Sequence, residues 1–595
     1  MIEHGDTRSV LTAAQVAEAG TSYDWLSSFD GVLRWVESVP QTGRTMVMSW
    51  SLSQGDHPQE CGQYGESVGS SLHAYGGMPY AVASSGDTLA VNATTGQISG
   101  YTETAHSYGD LARCGDELLC VREDDSGDDL VAIDLTSRTS RVVRGTDGLL
   151  ASPRLWAGRL AWVQWDKNVM PWDSSEVWVA DYAPSGQLGA ALHVAGGPDE
   201  SAFQPQWGED GALYFMSDRT GWWNLYRWRD GLAEALAPMA AECATAPWES
   251  SYSNYALLPR GRIAITVQRG PIQQLVVVES DGEITPIDLP FTSFKPWLTG
   301  LGDRIALIGS SLTRSQEIVL VSTDGTNKVE VVRAGSVLND ERPALSVPEV
   351  MRVPSADAEV TVLFYPPSGR SAPAPLIVRP HAGPTYNSEL RLDWEVQFFT
   401  SRGFAVADVD YRGSTGYGRA FRKALDGNWG RFDVEDCRAV ALHLLATGRA
   451  LPEAVFVSGA SAGGYTALRA VCQDGPFALA VARSAIVDPK RWRTTAPRFQ
   501  QPHAAILSHQ SAEVEPDRVR RPVLLIHGDE DAVAPVEDVT KLAVALQSRK
   551  LLVGMLKLAG VGHYLSAPEA LCAALEAELD AYRAVLMEAG LLTWR

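Results

Sequence analysis

The sequence has little of what membrane, secreted and nucleic-acid-binding proteins require. The 595-residue chain contains no uninterrupted apolar stretch of about 18 residues, so no membrane-spanning helix is expected. Residues 1–20 lack a basic region followed by an apolar core, so no secretory signal is expected either. Acidic residues outnumber basic ones by 72 to 50, giving a formal charge of −22. Nucleic acids and anionic membranes, which bind through Lys and Arg, are therefore excluded as expected partners.

Cysteine is also scarce. The seven cysteines are scattered, and Cys114 and Cys120 have no second Cys or His pair at zinc-ligand spacing. We expect reduced thiols in a cytoplasmic protein, with no metal and no cofactor. The composition is 45% apolar and 21% charged, which is typical of globular proteins, and the length predicts two or more domains.

Residues 1–340 carry a weak repeat of strand signals. A Gly-centred turn precedes a short apolar run seven times, as where Asp210-Gly211 precedes ALYFM, with a mean spacing of about 45 residues. A second strand signal often follows, and no helical periodicity of useful length is present. Repeats of this length built only from strands are typical of propeller blades. The sequence therefore predicts a seven-bladed β-propeller with a short N-terminal extension; an array of β-sandwiches is the alternative.

Residues 341–595 have a different pattern, which begins after the polar segment 339–343. Apolar strand runs alternate with amphipathic helices, one of them predicted over 433–448 with Asp433 as its N-cap and Gly448 at its C-terminal end. Such alternation predicts an α/β domain with a mostly parallel sheet and helices on both faces.

One serine in this second domain has the surroundings of a nucleophile. Ser461 lies in a G-x-S-x-G motif between the strand run VFVS and a predicted helix, the context of a nucleophile elbow. The same motif occurs around Ser67, but no strand precedes it and no clear helix follows, so we interpret Ser67 as non-catalytic.

A serine hydroxyl requires a base, and the base requires an acid to orient it. His563 is the only histidine after residue 531 and follows a predicted strand. The acid should lie between Ser461 and His563, where Asp529, Glu530 and Asp531 follow the strand run VLLIH; spacing does not choose among them. The N–H groups of Ala462 and Gly383 are the candidate oxyanion donors.

Five motifs together resemble the prolyl oligopeptidase family, and within it the acylaminoacyl-peptidase and dipeptidyl-aminopeptidase branch. They are HAGP at 381–384, DYRGSTGYGR at 410–419, GASAGGY at 459–465, HGDEDAVAP at 527–535 and GVGHY at 560–564. The resemblance implies a seven-bladed propeller on an α/β-hydrolase domain. It also implies a triad of Ser461, Asp531 and His563, because the family acid is the last residue of H-G-x-x-D. Ala382 departs from the family's H-G-G-P, with little expected effect.

The resemblance further implies where substrate binds. Ile486, Val487 and Trp492 are expected to line the pocket for an apolar or aromatic side chain, although Trp492 as an ordinary core residue is an alternative. A carboxylate from the propeller is expected to pair with the substrate's ammonium group. The candidates are Glu123, Asp173 and Glu242, and the sequence does not choose among them.

These features predict a serine exopeptidase or amide hydrolase acting on a small peptide or an aminoacyl amide. Relatives that remove dipeptides or acylated residues commonly carry Asn or Arg at the position of Val533, so we expect an aminopeptidase that releases one residue. A dipeptidyl or acylaminoacyl peptidase or an esterase on the same triad is the alternative, and a non-catalytic propeller scaffold a remote one. The oligomeric state stays open, a homo-oligomer included.

Overall fold

The computed structural model describes residues 11–53, 57–62, 65–336, 344–369, 372–508 and 513–592. The chain divides into two compact units. The first, which we call the propeller unit, contains residues 21–335 and 498–502; the second, the hydrolase unit, contains the rest. Residues 11–20 therefore group with the hydrolase unit, and not with the propeller to which the sequence assigned them. The predicted boundary at 340/341 and the polar segment 339–343 lie outside the described residues.

The propeller unit consists of antiparallel sheets that follow one another along the chain. The first blade contains β1 (Ser22–Phe29), β2 (Val32–Val39), β3 (Arg44–Ser51) and β4 (Gln59–Glu60), and is followed by the pair β5 (Tyr80–Val82) and β6 (Thr88–Ala90). The second blade contains β7 (Ser107–Cys114), β8 (Glu117–Asp124), β9 (Gly127–Asp134) and β10 (Ser140–Thr146). The third contains β11 (Leu149–Trp156), β12 (Arg159–Trp165), β13 (Glu176–Asp181) and β14 (Leu192–Gly196).

The remaining three blades continue in the same way. The fourth contains β15 (Ala202–Trp207), β16 (Leu213–Ser217), β17 (Asn224–Arg229) and β18 (Leu232–Ala235). The fifth contains β19 (Tyr255–Leu257), β20 (Ile263–Arg269), β21 (Ile272–Val278) and β22 (Ile284–Ile287). The sixth contains β23 (Ser293–Phe294), β24 (Thr299–Leu301), β25 (Arg304–Ser311), β26 (Arg314–Ser322) and β27 (Val329–Arg333).

The prediction of seven blades is wrong, because the described residues form six. Between the first blade and β7 the described residues form only the three-residue strands β5 and β6. Isolated bridges join Val68 to Asn92 and Val91 to Ile98 beside them. Gly, Pro, Ser and Asp interrupt this segment every few residues, and such residues favour turns over continuous strands.

Side chains join the first and last blades and so close the ring of blades. Tyr23 in β1 donates a hydrogen bond from its hydroxyl to the carbonyl of Ala334 at 2.7 Å. Arg333 in β27 donates to the buried Glu37 in β2 at 2.5 Å. These contacts connect residues about 300 positions apart in sequence, so closure depends on side chains as well as on strand order.

Residues 498–502 belong to the propeller unit because of two side chains. Arg498 forms ion pairs with Asp128 and with Glu123, the latter at 3.0 Å. The buried Phe499 ring stacks on His73 with 5.8 Å between ring centroids and lies edge-on to Trp172. Phe499 is thus part of the propeller core.

The hydrolase unit contains one eight-stranded sheet. Its strands are β28 (Glu349–Ser355), β29 (Ala358–Tyr365), β30 (Ala374–Pro380), β31 (Ala405–Asp410), β32 (Ala450–Ala460), β33 (Leu479–Arg483), β34 (Val523–Gly528) and β35 (Leu552–Leu558). Their spatial order is β28-β29-β31-β30-β32-β33-β34-β35, with β28, β29 and β31 paired antiparallel and the other pairs parallel. The predicted mostly parallel sheet is confirmed.

Helices cover both faces of this sheet. The described helices are α1 (Ala13–Glu18), α2 (Trp394–Thr400), α3 (Arg419–Lys423), α4 (Phe432–Ala446), α5 (Ala462–Ala470), α6 (Pro489–Thr495), α7 (Gln501–Leu507), α8 (Val536–Ser548) and α9 (Pro568–Glu588). The first two residues of α7 belong to the propeller unit. Among the described helices, none is long and apolar enough to cross a membrane.

Alternation along β32 shows which helices share a face. Val455 and Val457 belong to one core cluster with residues of α4, α5 and α8. Phe456 points the other way and stacks on Tyr582 of α9 at 4.5 Å between ring centroids. Since successive strand residues face opposite sides, α9, together with α1 and α2 packed beside it, lies on the face opposite α4, α5 and α8.

The start of α4 differs from the prediction. The N-cap is Arg431, and Asp433 is fully buried inside the first turn, where its carboxylate accepts from the N–H of Gly430 at 2.7 Å and from the Thr466 hydroxyl. Gly448, predicted at the other end, has the positive φ of +69° that favours glycine after a helix.

Candidate active site

Ser461 lies on a sharp turn between the last residue of β32 and the first residue of α5. Its φ of +53° and ψ of −117° are costly for a residue with a Cβ atom. The turn is tight enough that a Cβ on Gly459 would lie 2.3 Å from the carbonyl oxygen of Gly463. The two motif glycines therefore permit a strained turn that presents the serine hydroxyl at the sheet edge.

Three of the predicted residues lie in one chain of hydrogen bonds. Ser461 Oγ is 3.0 Å from His563 Nε2, and His563 Nδ1 is 2.8 and 2.9 Å from the two carboxylate oxygens of Asp531. His563 lies on the loop between β35 and α9, and Asp531 on the loop after β34. This is the arrangement in which an imidazole takes a proton from a hydroxyl while a carboxylate holds its other nitrogen.

The surroundings of Asp531 keep its carboxylate ionised and oriented. Oδ1 also accepts hydrogen bonds from the N–H groups of Val533 at 2.9 Å and Ala534 at 2.8 Å. Burial alone would raise the pKa of Asp531, but the hydrogen bond and charge of His563 outweigh burial and lower it. The carboxylate is thus a fixed acceptor for His563 Nδ1–H across neutral pH.

The two neighbouring acids have different environments. Asp529 accepts from the N–H of Gly560 at 2.7 Å and so ties the loop after β34 to the loop that carries His563. Glu530 is exposed. Of the three carboxylates that the sequence left open, Asp531 is the one that contacts His563. Ser67 lies in the propeller unit, where its hydroxyl accepts from the N–H of Thr45.

The candidate oxyanion donors flank the nucleophile. Ala462 is the first residue of α5, so its N–H has no acceptor within the helix. Gly383 follows β30 in a loop and has a φ of +125°. This loop packs closely against the turn at Ser461: a Cβ on Gly463 would lie 2.2 Å from the carbonyl oxygen of Pro380. The absence of that Cβ is what lets the two segments approach.

The predicted pocket residues are buried in the core beside the site. Ile486 and Val487 follow β33, and Trp492 lies on α6 with its ring 5.7 Å from that of Trp429. All three border a cavity of only about 10 Å³ that Ala534 and Pro535 also line. Trp492 thus packs as a core residue as well as lining this small cavity.

Two of the three propeller carboxylates proposed from the sequence accept hydrogen bonds within the propeller unit. Glu123 binds Arg498 and accepts from the N–H of His73 at 2.7 Å. The buried Glu242 accepts from the N–H of Trp223 at 2.8 Å. Asp173 lies half-buried in the turn before β13.

A fourth propeller carboxylate, Glu249, was not predicted from the sequence. It lines a small cavity of about 20 Å³ together with the aromatic rings of Trp165, Phe203 and Phe499. Burial, and next the charge of Asp24, raise the pKa of Glu249 to about 8. No motif surrounds Glu249 in the sequence, so only the fold reveals its environment. Within the described ranges, no group of three or more His, Cys, Asp or Glu residues could hold a metal ion.

Residues 390–588 match the family model described as the prolyl oligopeptidase family. The chain is 25% identical over 217 residues to the dipeptidyl aminopeptidase BIII of Pseudoxanthomonas mexicana, which covers 33% of this chain and 31% of that protein. It is 27% identical over 245 residues to the acylamino-acid-releasing enzyme of Rattus norvegicus, covering 38% and 33%. The match thus spans about a third of the length of these curated relatives.

A solved structure resembles the whole chain. The puromycin-hydrolyzing peptidase of Mycobacterium tuberculosis is 29% identical, covers 98% of both chains and superposes with a TM-score of 0.91. The likeness therefore extends over the propeller unit, which the family model does not match.

Proposed function

Because the chain belongs to the prolyl oligopeptidase family of serine peptidases, we propose that it is an aminopeptidase that hydrolyses small peptides or aminoacyl amides. The product would be a single apolar or aromatic N-terminal residue, released through an acyl-enzyme on Ser461. The observation that carries this proposal is the hydrogen-bond chain from Ser461 Oγ through His563 to Asp531.

In the acylation step, Ser461 Oγ attacks the carbonyl carbon and His563 Nε2 takes the hydroxyl proton. Asp531 holds the proton on Nδ1, so that Nε2 is the free acceptor, and stabilises the imidazolium that forms. The carbonyl oxygen becomes an oxyanion, and the N–H groups of Ala462 and Gly383 are the proposed donors to it. His563 then protonates the leaving amine, and the C–N bond breaks.

In the deacylation step, water replaces the amine. His563 takes a proton from the water, whose oxygen attacks the acyl carbon of the ester on Ser461. Collapse of the second tetrahedral intermediate releases the amino acid and returns the proton to Ser461 Oγ. The same residues thus act in both halves of the reaction, and no cofactor is needed.

The proposal that the enzyme releases one residue at a time rests on Val533. Its side chain is apolar and buried, and its N–H is used by Asp531. A second substrate carbonyl near Val533 would find no donor in that residue and would be disfavoured by about 1–3 kcal/mol. The similarity to a puromycin-hydrolyzing peptidase, which covers 98% of both chains, supports the proposal of a small substrate.

A panel of three chromogenic substrates tests this proposal. The kcat/KM for Phe-anilide should exceed the values for Gly-Phe-anilide and N-acetyl-Phe-anilide by roughly 5- to 150-fold. Ser461→Ala should lower kcat by several orders of magnitude. Ser67→Ala, the matched control in the other G-x-S-x-G motif, should leave kcat unchanged. A preference for Gly-Phe-anilide or N-acetyl-Phe-anilide would favour a dipeptidyl or acylaminoacyl peptidase instead.

A further inference from the structure

A cavity of about 260 Å³ opens in the hydrolase unit at the C-terminal ends of β30, β31, β32 and β33. Phe399 of α2 and Glu578 of α9 line it, so it lies on the face of the sheet that carries these helices. Neither the proposed triad nor the proposed acyl pocket uses its side chains. We call it the leaving-group cavity.

The cavity begins directly beside the nucleophile. Gly459 and Ala460, the two residues before Ser461, line it, and so does Ala382, the residue before the candidate oxyanion donor Gly383. His563, which must protonate the leaving amine, lies on the loop that leads into α9. The cavity therefore adjoins the turn that carries Ser461 and the loop that carries Gly383.

The residues proposed to hold the acyl side chain are on the other face. Ile486, Val487 and Trp492 belong to the core cluster of α4, α5 and α8. The acyl carbon and the amine nitrogen are two of the four substituents of the tetrahedral carbon, so they diverge from it and require separate binding regions. An acyl side chain on the α5 face thus leaves the cavity on the α2 and α9 face for the amine.

The charges of this cavity are paired internally. Arg379 contacts Asp393 at 2.9 Å and Asp408 at 2.7 Å. Arg483 contacts Glu395 at 2.7 Å and also pairs with Glu578. The third arginine, Arg391, contacts Glu389 at 3.0 Å. Every arginine of the lining already has a carboxylate partner.

The lining therefore holds five carboxylates and three guanidinium groups, a formal excess of two negative charges. Burial raises the pKa of Asp408 to about 6, which leaves that carboxylate ionised above neutral pH. Asn387 and Ser388 add uncharged polar groups. An entering carboxylate would meet like charge and would have to displace an existing partner to reach an arginine.

We propose that this cavity receives the amine released on acylation, and that it selects amines without a carboxylate over the C-terminal residue of a free peptide. The substrate class is then aminoacyl amides whose leaving amine is polar and neutral or cationic. A volume of about 260 Å³, just below the ~300 Å³ lower range for drug-sized ligands, suits a single residue-sized group. This inference rests on the proposed aminopeptidase function.

Two substrates that differ only in terminal charge test it. Phe-Gly amide and free Phe-Gly share the acyl group and the leaving nitrogen, but only the free peptide brings a carboxylate into the cavity. We expect kcat/KM to favour the amide by about tenfold or more at low ionic strength, and the ratio to shrink as salt screens the charges. Equal values, or a preference for free Phe-Gly, would overturn the inference.

Charge variants identify the cavity as the source of the preference. Glu389→Gln and Glu395→Gln each remove one negative charge from the lining and should each lower the ratio by about threefold or more. Glu349→Gln is the matched control: Glu349 pairs with Arg449 at 2.6 Å at the start of β28 and does not line the cavity. An unchanged ratio in both lining variants would refute the assignment.

The outcomes separate this inference from the proposed function. No Ser461-dependent turnover of Phe-anilide refutes the proposed function and, with it, the inference. If the protein hydrolyses Phe-anilide but hydrolyses Phe-Gly amide and free Phe-Gly equally well, or hydrolyses neither of these two, the inference is refuted and the proposed function stands.

Discussion

Replacing Asp531 by asparagine changes one atom and tests how the triad works. The Oδ1 atom of Asp531 accepts from the N–H groups of Val533 and Ala534 at 2.9 and 2.8 Å. An asparagine keeps these two bonds only if its carbonyl oxygen takes that position. Its NH₂ group then lies where Oδ2 was, 2.8 Å from His563 Nδ1. The carbonyl oxygen, 2.9 Å from Nδ1, already accepts from two backbone N–H groups, so the geometry favours the amide N–H as the group that meets His563.

An amide donor at Nδ1 shifts the imidazole to the wrong tautomer. The ring proton moves to Nε2, which faces Ser461 Oγ at 3.0 Å and can no longer accept the hydroxyl proton. We expect kcat for Phe-anilide to fall by about 10⁴-fold, which corresponds to about 5.4 kcal/mol in the activation free energy. KM should change little, because the substitution leaves the pocket residues in place.

Steady-state kinetics at pH 7.5 with Asp531→Asn and Glu530→Gln measure this effect. Glu530 is the adjacent exposed carboxylate, so Glu530→Gln should keep kcat within about twofold, as surface substitutions do. Thermal unfolding of both variants checks that each is folded. The reasoning is refuted if folded Asp531→Asn keeps more than about a tenth of the activity, or if the loss is confined to KM.

Two further predictions concern the elbow and the propeller core. In Gly463→Ala the new Cβ would lie 2.2 Å from the carbonyl oxygen of Pro380 and would displace the loop that carries Gly383. We expect kcat to fall by about 10²-fold or more, as when an oxyanion donor is lost. Unchanged kinetics would contradict this. Burial and the charge of Asp24 raise the pKa of Glu249 to about 8 in the folded protein, above its ordinary value of 4.5. Between these two pH values the folded protein holds a proton on Glu249 that the unfolded chain has released. The free energy of unfolding should therefore fall as pH rises from about 4.5 toward 8. Glu249→Gln cannot titrate, and its Tm should exceed that of the wild type by about 2–4 °C at pH 8 and match it near pH 5, as differential scanning calorimetry would measure.

The hydrolase unit was predictable because its chemistry depends on local patterns. Ser461 follows an apolar strand and precedes a helix, and His563 follows the strand β35, so the sheet brings the two together from 102 positions apart. Choosing Asp531 over Asp529 and Glu530 required the family resemblance. The structure shows the physical difference: Asp529 binds a backbone N–H and Glu530 faces solvent, whereas Asp531 contacts His563.

The propeller was predictable only in outline. Turn-then-strand units mark blades, but the unit at Gly86-Asp87 yields only the two short strands β5 and β6. Strand signals cannot show whether enough residues follow to complete four strands. The placement of Phe499 among the propeller rings was equally inaccessible, because it depends on packing between residues more than 300 positions apart.

The ion pairs of the leaving-group cavity could not be predicted from the sequence either. Arg379, Arg483 and their partners come from five separate elements, and no spacing connects them. Asp433 is a local example of the same difficulty. An acidic residue at the start of a helix is typical of an N-cap, yet this one turns inward to Gly430 and Thr466 because a buried N–H and a hydroxyl require an acceptor there.

Covalent labelling of the nucleophile tests the central claim most directly. A fluorophosphonate probe should add one label to the protein, peptide mass spectrometry should locate that label on Ser461, and Ser461→Ala should remain unlabelled. The His563→Ala variant should react far more slowly, because Ser461 then has no base to take its proton. Labelling on Ser67 or another residue, or no labelling of the folded wild-type protein, would contradict the account.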